Sequence, residues 1–138
     1  MKTLPVSAIA CLLLSGFLPC FGQDAKIAPI KEIVIKGFAL KTEDRLPKPK
    51  TIKNARELAQ VIANPEVAQK LKEKVDFKSQ YILLFSWGGS GKDQLDTRYD
   101  GKTVIFAYRR GLSRDLRFHL KVFVIENGVK WKVERVNR

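Results

Sequence analysis

The chain has 138 residues, of which 26 are Lys or Arg and 14 are Asp or Glu, giving a formal net charge of +12 at pH 7. This length allows one domain of ordinary size and leaves no room for a second of similar size. So large a basic excess favours salt-sensitive contact with anionic surfaces or polymers, although general solubility would explain it equally well.

The first segment of the chain has the features of an export signal. Lys2 gives a positive start, and residues 4–18 that follow are almost wholly apolar. Small residues at Cys20 and Gly22 complete a cleavage pattern. We therefore expect a cleavable signal peptide over residues 1–22 and a mature protein that is periplasmic or secreted.

Two alternatives compete with this interpretation of residues 1–22. One is an uncleaved membrane anchor, for which an apolar run of about 15 residues is short. The other is a lipoprotein processed at Cys11. Because Cys11 and Cys20 both lie in the signal, cleavage would leave a domain with no cysteine, no disulfide and no predicted membrane span. Loss of Lys2 would leave a net charge of +11.

Residues 23–50 are predicted to form an extension ahead of the main domain. A β-branched run predicts a strand over residues 30–40. Residues 41–50 are predicted to be a connector rich in proline and lysine, because Pro47 and Pro49 exclude this stretch from a central strand.

The main domain, residues 51–138, is predicted to begin with one or two helices. Asn54 and Glu57 have the spacing of a capping box, and Asn64-Pro65 has the features of a second helix start. Apolar residues at four-residue spacing then predict a buried helix face: Val67, Leu71 and Val75.

Strands are predicted for the rest of the chain. Residues 81–87 are apolar on both faces, as expected of a central strand. Asp100-Gly101 predicts a two-residue hairpin turn that pairs Leu95 with Phe106 and Thr97 with Val104.

Asn127-Gly128 predicts a second hairpin in the same sheet. It would follow a strand over residues 116–125 and would place Lys121 opposite Glu134. Its pairs on the other face would be Val124 with Trp131 and Val122 with Val133. The predicted core face of the strand holds Phe118, Leu120, Val122 and Val124. The opposite face would be partly basic, with Arg117, His119, Lys121, Lys130 and Lys132.

The predicted class is α+β, with one or two helices packed on an antiparallel sheet of about five to six strands.

The first segment that could carry chemistry is a glycine-rich loop, residues 85–93 (FSWGGSGKD). Such a loop can turn sharply and present backbone N–H groups to an anion. It is neither a Walker loop, because Ser86 replaces the first glycine, nor a nucleophile elbow, because Lys92 replaces the last one. The alternative is that its glycines serve only the geometry of a turn.

The second segment covers residues 109–119 (RRGLSRDLRFH) and contains the chain's single histidine, His119. With no second histidine and no cysteine in the mature chain, neither a metal site nor a cofactor is expected. A Ser-His-Asp hydrolase could be drawn from Ser90, His119 and either Asp93 or Asp115, but spacing alone does not select those residues.

These two motifs, preceded by VDF at residues 75–77, resemble a family of small exported proteins of planctomycete-type bacteria whose function is not settled. The resemblance covers residues 52–131. The layout of helices followed by antiparallel strands is also similar, at the level of the fold, to a domain of accessory subunits in a bacterial surface protease complex.

The family resemblance implies nine motif residues: Trp87, Gly89, Ser90, Gly91, Asp93, Arg114, Asp115, Arg117 and His119. One hypothesis is that Asp93 or Asp115 pairs with Arg114 or Arg117 and clamps the glycine loop onto the neighbouring turn. The other is that the same groups line a ligand-binding groove with Trp87 as an apolar wall.

Together these features favour a non-enzymatic binding or accessory module over an enzyme. The expected partner is an envelope protein or an anionic polymer such as an acidic polysaccharide. The alternative is a small hydrolase or lyase that uses His119 with Asp93 or Arg114. Nucleic acid is not expected as a partner of an exported chain with no recognition motif.

Overall fold

The structure, a computed structural model, describes residues 28–137. Two helices and seven strands follow one another in the order β1 (Ile30–Ile33), β2 (Lys48–Ile52), α1 (Ala55–Val61), α2 (Pro65–Lys72), β3 (Gln80–Ser90), β4 (Gln94–Tyr99), β5 (Thr103–Arg109), β6 (Leu116–Glu126) and β7 (Lys130–Arg135). The predicted α+β class is confirmed, with slightly more strands than expected. The signal segment, residues 1–22, lies outside the described residues.

The strands form two sheets rather than one. The first has the order β1-β6-β3-β2 and is antiparallel throughout; the second has the order β4-β5-β7. Strand β5 pairs with β4 antiparallel and with β7 parallel. Three connections therefore cross from one sheet to the other: the one from β3 to β4, the one from β5 to β6 and the one from β6 to β7.

Two apolar clusters divide the core into layers. The first joins the helices to one face of the four-stranded sheet and includes Leu58, Leu71, Ile82 and Val124. The second joins the opposite face of that sheet to the three-stranded sheet and includes Leu83, Phe85, Trp87, Phe106 and Phe123. Strands β3 and β6 thus bury side chains on both faces, which confirms residues 81–87 as a central strand.

Both predicted helix starts are confirmed. The side chain of Asn54 accepts a hydrogen bond from the backbone N–H of Glu57 at 2.9 Å, and that of Asn64 accepts from Glu66 and Val67 at 3.0 and 3.2 Å. These bonds satisfy N–H groups that have no partner within the helix. Leu71 is fully buried on the inward face of α2.

The N-terminal extension differs from the prediction in two ways. Strand β1 covers four residues, because a turn at Gly37, with φ +71°, follows it closely. Part of the predicted connector is a strand, β2, which lies at the edge of the first sheet. Pro49 lies within β2, as the exclusion of proline from central strands allows.

The predicted register of the first hairpin is wrong by two residues. Leu95 pairs with Tyr108 and Thr97 with Phe106, because Gly101 and the residue after it are central in the turn. Gly101 has φ +90°, and the carboxylate of Asp100 accepts hydrogen bonds from the backbone N–H groups of Lys102 and Thr103. A shift of two residues leaves each side chain on the same face of the sheet. On that face Leu95, Val104 and Phe106 are buried, whereas Thr97 is exposed.

The predicted second hairpin is wrong as well. The chain does reverse at Gly128, which has φ +84°, but β7 pairs with β5 and not with β6. Both edges of β6 are occupied, one by β1 and the other by β3, so no edge is free for β7. Lys121 accordingly forms an ion pair with Glu32 at 2.6 Å, and Glu134 pairs with Arg98 and Lys132.

The predicted basic face is therefore also corrected. Phe123 and Ile125 on that face of β6 are buried between the two sheets, while Lys130 and Lys132 belong to the other sheet. On the predicted core face, Val122 and Val124 are buried, whereas Phe118 is 38% exposed. Within residues 28–137, neither helix is long and apolar enough to span a membrane.

Candidate functional site

The glycine-rich loop and the Arg-Asp-rich segment lie together at one corner of the molecule. The predicted glycine-rich loop is shorter than expected: residues 85–90 belong to β3, and only residues 91–93 form the loop that connects β3 to β4. The second segment, residues 110–115, connects β5 to β6. Hydrogen bonds join the two connections directly, the longest-range of them between residues 24 positions apart in sequence. The corner therefore depends on both sequence motifs.

Asp93 is the centre of the corner, and its side chain is buried. Its carboxylate accepts hydrogen bonds from Trp87 Nε1 at 3.1 Å, from the Tyr108 hydroxyl at 3.0 Å and from the backbone N–H of Gly111 at 2.7 Å. We call these four residues the Asp93 junction. Three donors compensate the loss of hydration that a buried carboxylate would otherwise suffer.

The junction also changes the chemistry of Tyr108. Burial, followed by the hydrogen bond to Asp93, raises the pKa of this phenol to about 12. Deprotonation would remove the donor and place a second negative charge beside the carboxylate. Tyr108 therefore stays a neutral donor at physiological pH and serves the junction structurally.

Two glycines allow the junction to close. A Cβ atom at Gly89 would lie 2.0 Å from Asp93 Oδ2, and one at Gly111 would lie 2.4 Å from the backbone carbon of Lys92. Real Cβ atoms do not approach other atoms so closely. Close approach therefore requires glycine at both positions.

A second cluster clamps the loop from outside. Asp115 accepts hydrogen bonds from Gly91 N at 3.1 Å, from Arg117 Nε at 2.9 Å and from the Ser113 hydroxyl. The Ser113 and Ser90 hydroxyls are 2.5 Å apart. Bonds from Ser113 first, then Arg117 and Gly91, lower the pKa of Asp115 to about 2. Asp115 thus pairs with Arg117, and its bond from Gly91 joins this pair to the glycine loop; we call this arrangement the Asp115 clamp.

His119 is oriented by two contacts. Its ring stacks on Trp87, with ring centroids 4.7 Å apart and planes 15° from parallel. Its Nε2 atom lies 2.8 Å from the backbone oxygen of Ser90. The imidazole thus contacts the carbonyl of Ser90, whereas the hydroxyl of that serine contacts Ser113.

Beside these clusters lies an open groove of about 840 Å³. Four arginines line it, and we call it the arginine groove: Arg45, Arg110, Arg114 and Arg135. Its two carboxylates belong to Asp93 and Asp115, which already accept the bonds described above. The groove therefore has a positive formal charge.

Backbone hydrogen bonds fix the segments that carry these arginines. Gly88 N donates to Asp44 O at 2.8 Å, which joins the segment before β2 to β3 and brings Arg45 to the groove. Val136 N donates to Tyr108 O at 2.8 Å, which fixes the end of β7 next to Arg135. Arg110 precedes a glycine whose N–H donates to Asp93.

Among residues 28–137, three of the groove's arginines form no ion pair with a carboxylate: Arg45, Arg114 and Arg135. All three side chains are exposed. Tyr108, which also lines the groove, is affected by its charge, because Arg110 and Arg135 oppose the rise in its pKa.

The nine motif residues separate into two groups. Five line the arginine groove: Gly89, Ser90, Asp93, Arg114 and Asp115. The other four do not line it, but contact residues that do or one another: Trp87, Gly91, Arg117 and His119. Trp87 is 1% exposed, so it is part of the core and not a wall of the groove.

Sequence reasoning missed three of the four arginines of the groove. Arg110 lies within the second motif, and its position beside Gly111 could have drawn attention to it. Arg45 and Arg135 come from distant segments of the chain, and no local pattern marks either of them.

In the described part of the chain, no group of three or more His, Cys, Asp or Glu side chains is placed to bind a metal ion. Comparisons of the chain with protein-family models, with curated proteins and with solved structures find no match. The resemblance to small exported planctomycete proteins therefore stays a prediction.

Proposed function

We propose that the protein is a non-enzymatic binding or accessory module whose arginine groove binds an anionic group of an envelope protein or an anionic polymer. The observation that carries the proposal is the open groove, in which arginines outnumber carboxylates four to two and the carboxylates already have donors. A partner with carboxylate, sulfate or phosphate groups would complement this charge.

Arginine suits such binding because its planar guanidinium can form two parallel hydrogen bonds to one carboxylate, sulfate or phosphate. The groove is also preorganised, since the Asp93 junction and the Asp115 clamp fix the loop that carries Arg110 and Arg114. A rigid site loses less conformational entropy when it binds, which favours affinity.

The contacts of His119 favour binding over hydrolysis. A serine hydrolase needs its histidine within hydrogen-bonding distance of the nucleophilic hydroxyl. Here His119 Nε2 lies 2.8 Å from the carbonyl of Ser90, and Ser90 Oγ lies 2.5 Å from Ser113 Oγ. Asp93 bonds to Trp87, Tyr108 and Gly111, and so is engaged elsewhere.

The setting of the proposal is the compartment outside the cytoplasm. If residues 1–22 are cleaved as expected, the mature domain would meet envelope proteins and acidic polysaccharides there. Cleavage would lower the formal net charge only to +11, so the electrostatic attraction would remain.

The test measures binding of a sulfated polysaccharide, such as heparin, to the full domain at low and high salt. Replacing Arg45, Arg114 and Arg135 by Gln should weaken binding by about tenfold or more, a loss of roughly 1.4 kcal/mol. The matched control replaces three cations of the helix layer by Gln: Arg56, Lys70 and Lys72.

Both variants lower the net charge equally, so their difference isolates the groove from the general basic character of the domain. The control should change the affinity by less than about threefold. Equal losses in the two variants, or binding that does not weaken as salt rises, would contradict the proposal.

A further inference from the structure

Exposed apolar residues gather around the arginine groove. Leu112 is 73% exposed, Leu116 57% and Leu46 43%, and all three line the groove. Phe118 is 38% exposed and lies beside Leu116, since both side chains would contact a Cβ atom at Gly88. Large exposed side chains that cluster at one site are a feature of interaction surfaces.

These leucines contribute little to the fold. Neither core cluster includes Leu46, Leu112 or Leu116. Leu112 lies between Gly111, which donates to Asp93, and Ser113, which donates to Asp115. The backbone on both sides of Leu112 is therefore fixed while its side chain extends into solvent, an arrangement that favours contact with a partner.

We infer that the partner is a protein segment that places aliphatic side chains next to carboxylates, so that the leucines and the arginines are both used. This inference rests on the proposed function and narrows its partner class from anionic polymers in general to an acidic, aliphatic peptide. Arginine is enriched in protein-binding surfaces, and the buried centre of such a surface is more apolar than its rim.

Other occupants fit less well. An acidic polysaccharide would engage the arginines but would leave the leucines exposed to water. A second copy of this chain, with a net charge of +12, would bring like charges together. A lipid surface is flat, whereas these residues line a concave groove of about 840 Å³.

The test compares four probes by equilibrium binding to the whole domain. The first is a short, blocked, fluorescent peptide that alternates Leu with Asp and Glu. The second is the same peptide with Ser in place of every Leu, which keeps the charge and removes the aliphatic side chains. The third is heparin, and the fourth is vesicles rich in an anionic phospholipid.

The variant Leu112→Ser/Leu116→Ser removes two exposed apolar side chains of the groove and leaves its charge unchanged. The matched control is Val34→Ser, because Val34 is 72% exposed and follows β1, away from the corner. Side chains this exposed contribute little to folding, so both variants should fold like the parent.

We expect the leucine peptide to bind about tenfold or more tightly than the serine peptide. The double variant should lose most of that difference, while its affinity for heparin changes by less than about twofold. The Val34→Ser control should behave as the parent protein towards all four probes.

The outcomes separate this inference from the proposed function. Equal binding of both peptides, lost in the Arg45/Arg114/Arg135 variant, would overturn the inference and leave the proposed function standing. Binding of anionic vesicles that depends on Leu112, without binding of the leucine peptide, would replace the peptide by a membrane. No binding of any anionic probe would overturn both.

Discussion

The Asp93 junction and the arginine groove lie side by side and use their polar groups in opposite ways. In the junction, one buried carboxylate accepts hydrogen bonds from Trp87, Tyr108 and Gly111. In the groove, Arg45, Arg114 and Arg135 are exposed and lack carboxylate partners among the described residues. The first arrangement stabilises the fold, and the second is where we propose that a ligand binds.

Residues 110–112 contribute both to the buried junction and to the open groove. Gly111 donates to the buried carboxylate, while its neighbours Arg110 and Leu112 line the open groove. Substitutions in the junction should therefore act mainly on stability, and substitutions in the groove mainly on binding. Unfolding of variants in the junction and the clamp measures the structural side of that division.

The substitution Asp93→Ala should lower the free energy of unfolding by about 3 kcal/mol, because it leaves three buried donors without an acceptor. Urea denaturation measures the change. The control is Asp96→Ala, at an exposed position of β4, and should stay within about 0.5 kcal/mol of the parent.

If Asp93→Ala does not fold, Asp93→Asn provides the measurement. The amide retains one acceptor oxygen, so the free energy of unfolding should fall by less than in Asp93→Ala, by about 1 to 2 kcal/mol. Asp93 variants as stable as the Asp96 control would remove the distinction between junction and groove.

The substitution Gly89→Ala should destabilise the protein by about 2 kcal/mol, because its Cβ would collide with the fixed carboxylate of Asp93. The neighbouring Gly88→Ala is the control: its Cβ would lie 3.4 Å from the ring of Phe118, an ordinary contact. Both changes are Gly to Ala within β3. Similar thermal midpoints for the two variants would show that the close approach at Gly89 is not a constraint.

The smallest effect on stability should come from the substitution Asp115→Asn, because the side chain of Asp115 is exposed to solvent. Its pKa of about 2 in the folded protein lies below the ordinary value of 3.8. The stabilisation it provides is therefore complete above pH 3.8 and lost as the pH falls towards 2.

This pH dependence is measured by urea unfolding of the parent and of Asp115→Asn from pH 6 to about pH 2. The stability difference between the two proteins should be constant at the higher pH values and shrink as the pH falls through the acid range. A difference that stays constant to the lowest pH would show that Asp115 does not titrate with folding.

Local features of the fold were predictable from the sequence. The caps at Asn54 and Asn64 and the reversal at Asn127-Gly128 depend on groups within a few residues of one another. The apolar run of β3 similarly reflects burial on both of its faces. For the caps and the reversal, the physical cause lies within the segment that shows the pattern.

The pairing of strands was not predictable in the same way. Whether β7 joins β6 or β5 depends on which edges are free, and that is settled by β1 and β3. Because β7 was wrongly predicted to pair with β6, the predicted basic face and the predicted pairing of Lys121 with Glu134 were wrong as well.

The candidate site also depends in part on contacts between segments that are distant in the sequence. The two motifs do meet, and Arg114 does line a groove, as the sequence suggested. The bond of Gly88 with Asp44 fixes the segment that carries Arg45, and the pairing of β7 with β5 places Arg135 next to Tyr108. Such long-range contacts leave no periodic pattern in one sequence.

The edges of the four-stranded sheet have a consequence for behaviour at high concentration. Strand β2, at one edge, carries Pro49, which lacks an N–H group, between Lys48 and Lys50. Strand β1, at the other edge, is only four residues long and contains Lys31 and Glu32. Proline, charge and short length all hinder a further strand from another molecule from adding to a sheet. Both edges of the four-stranded sheet are therefore poorly suited to edge-to-edge aggregation.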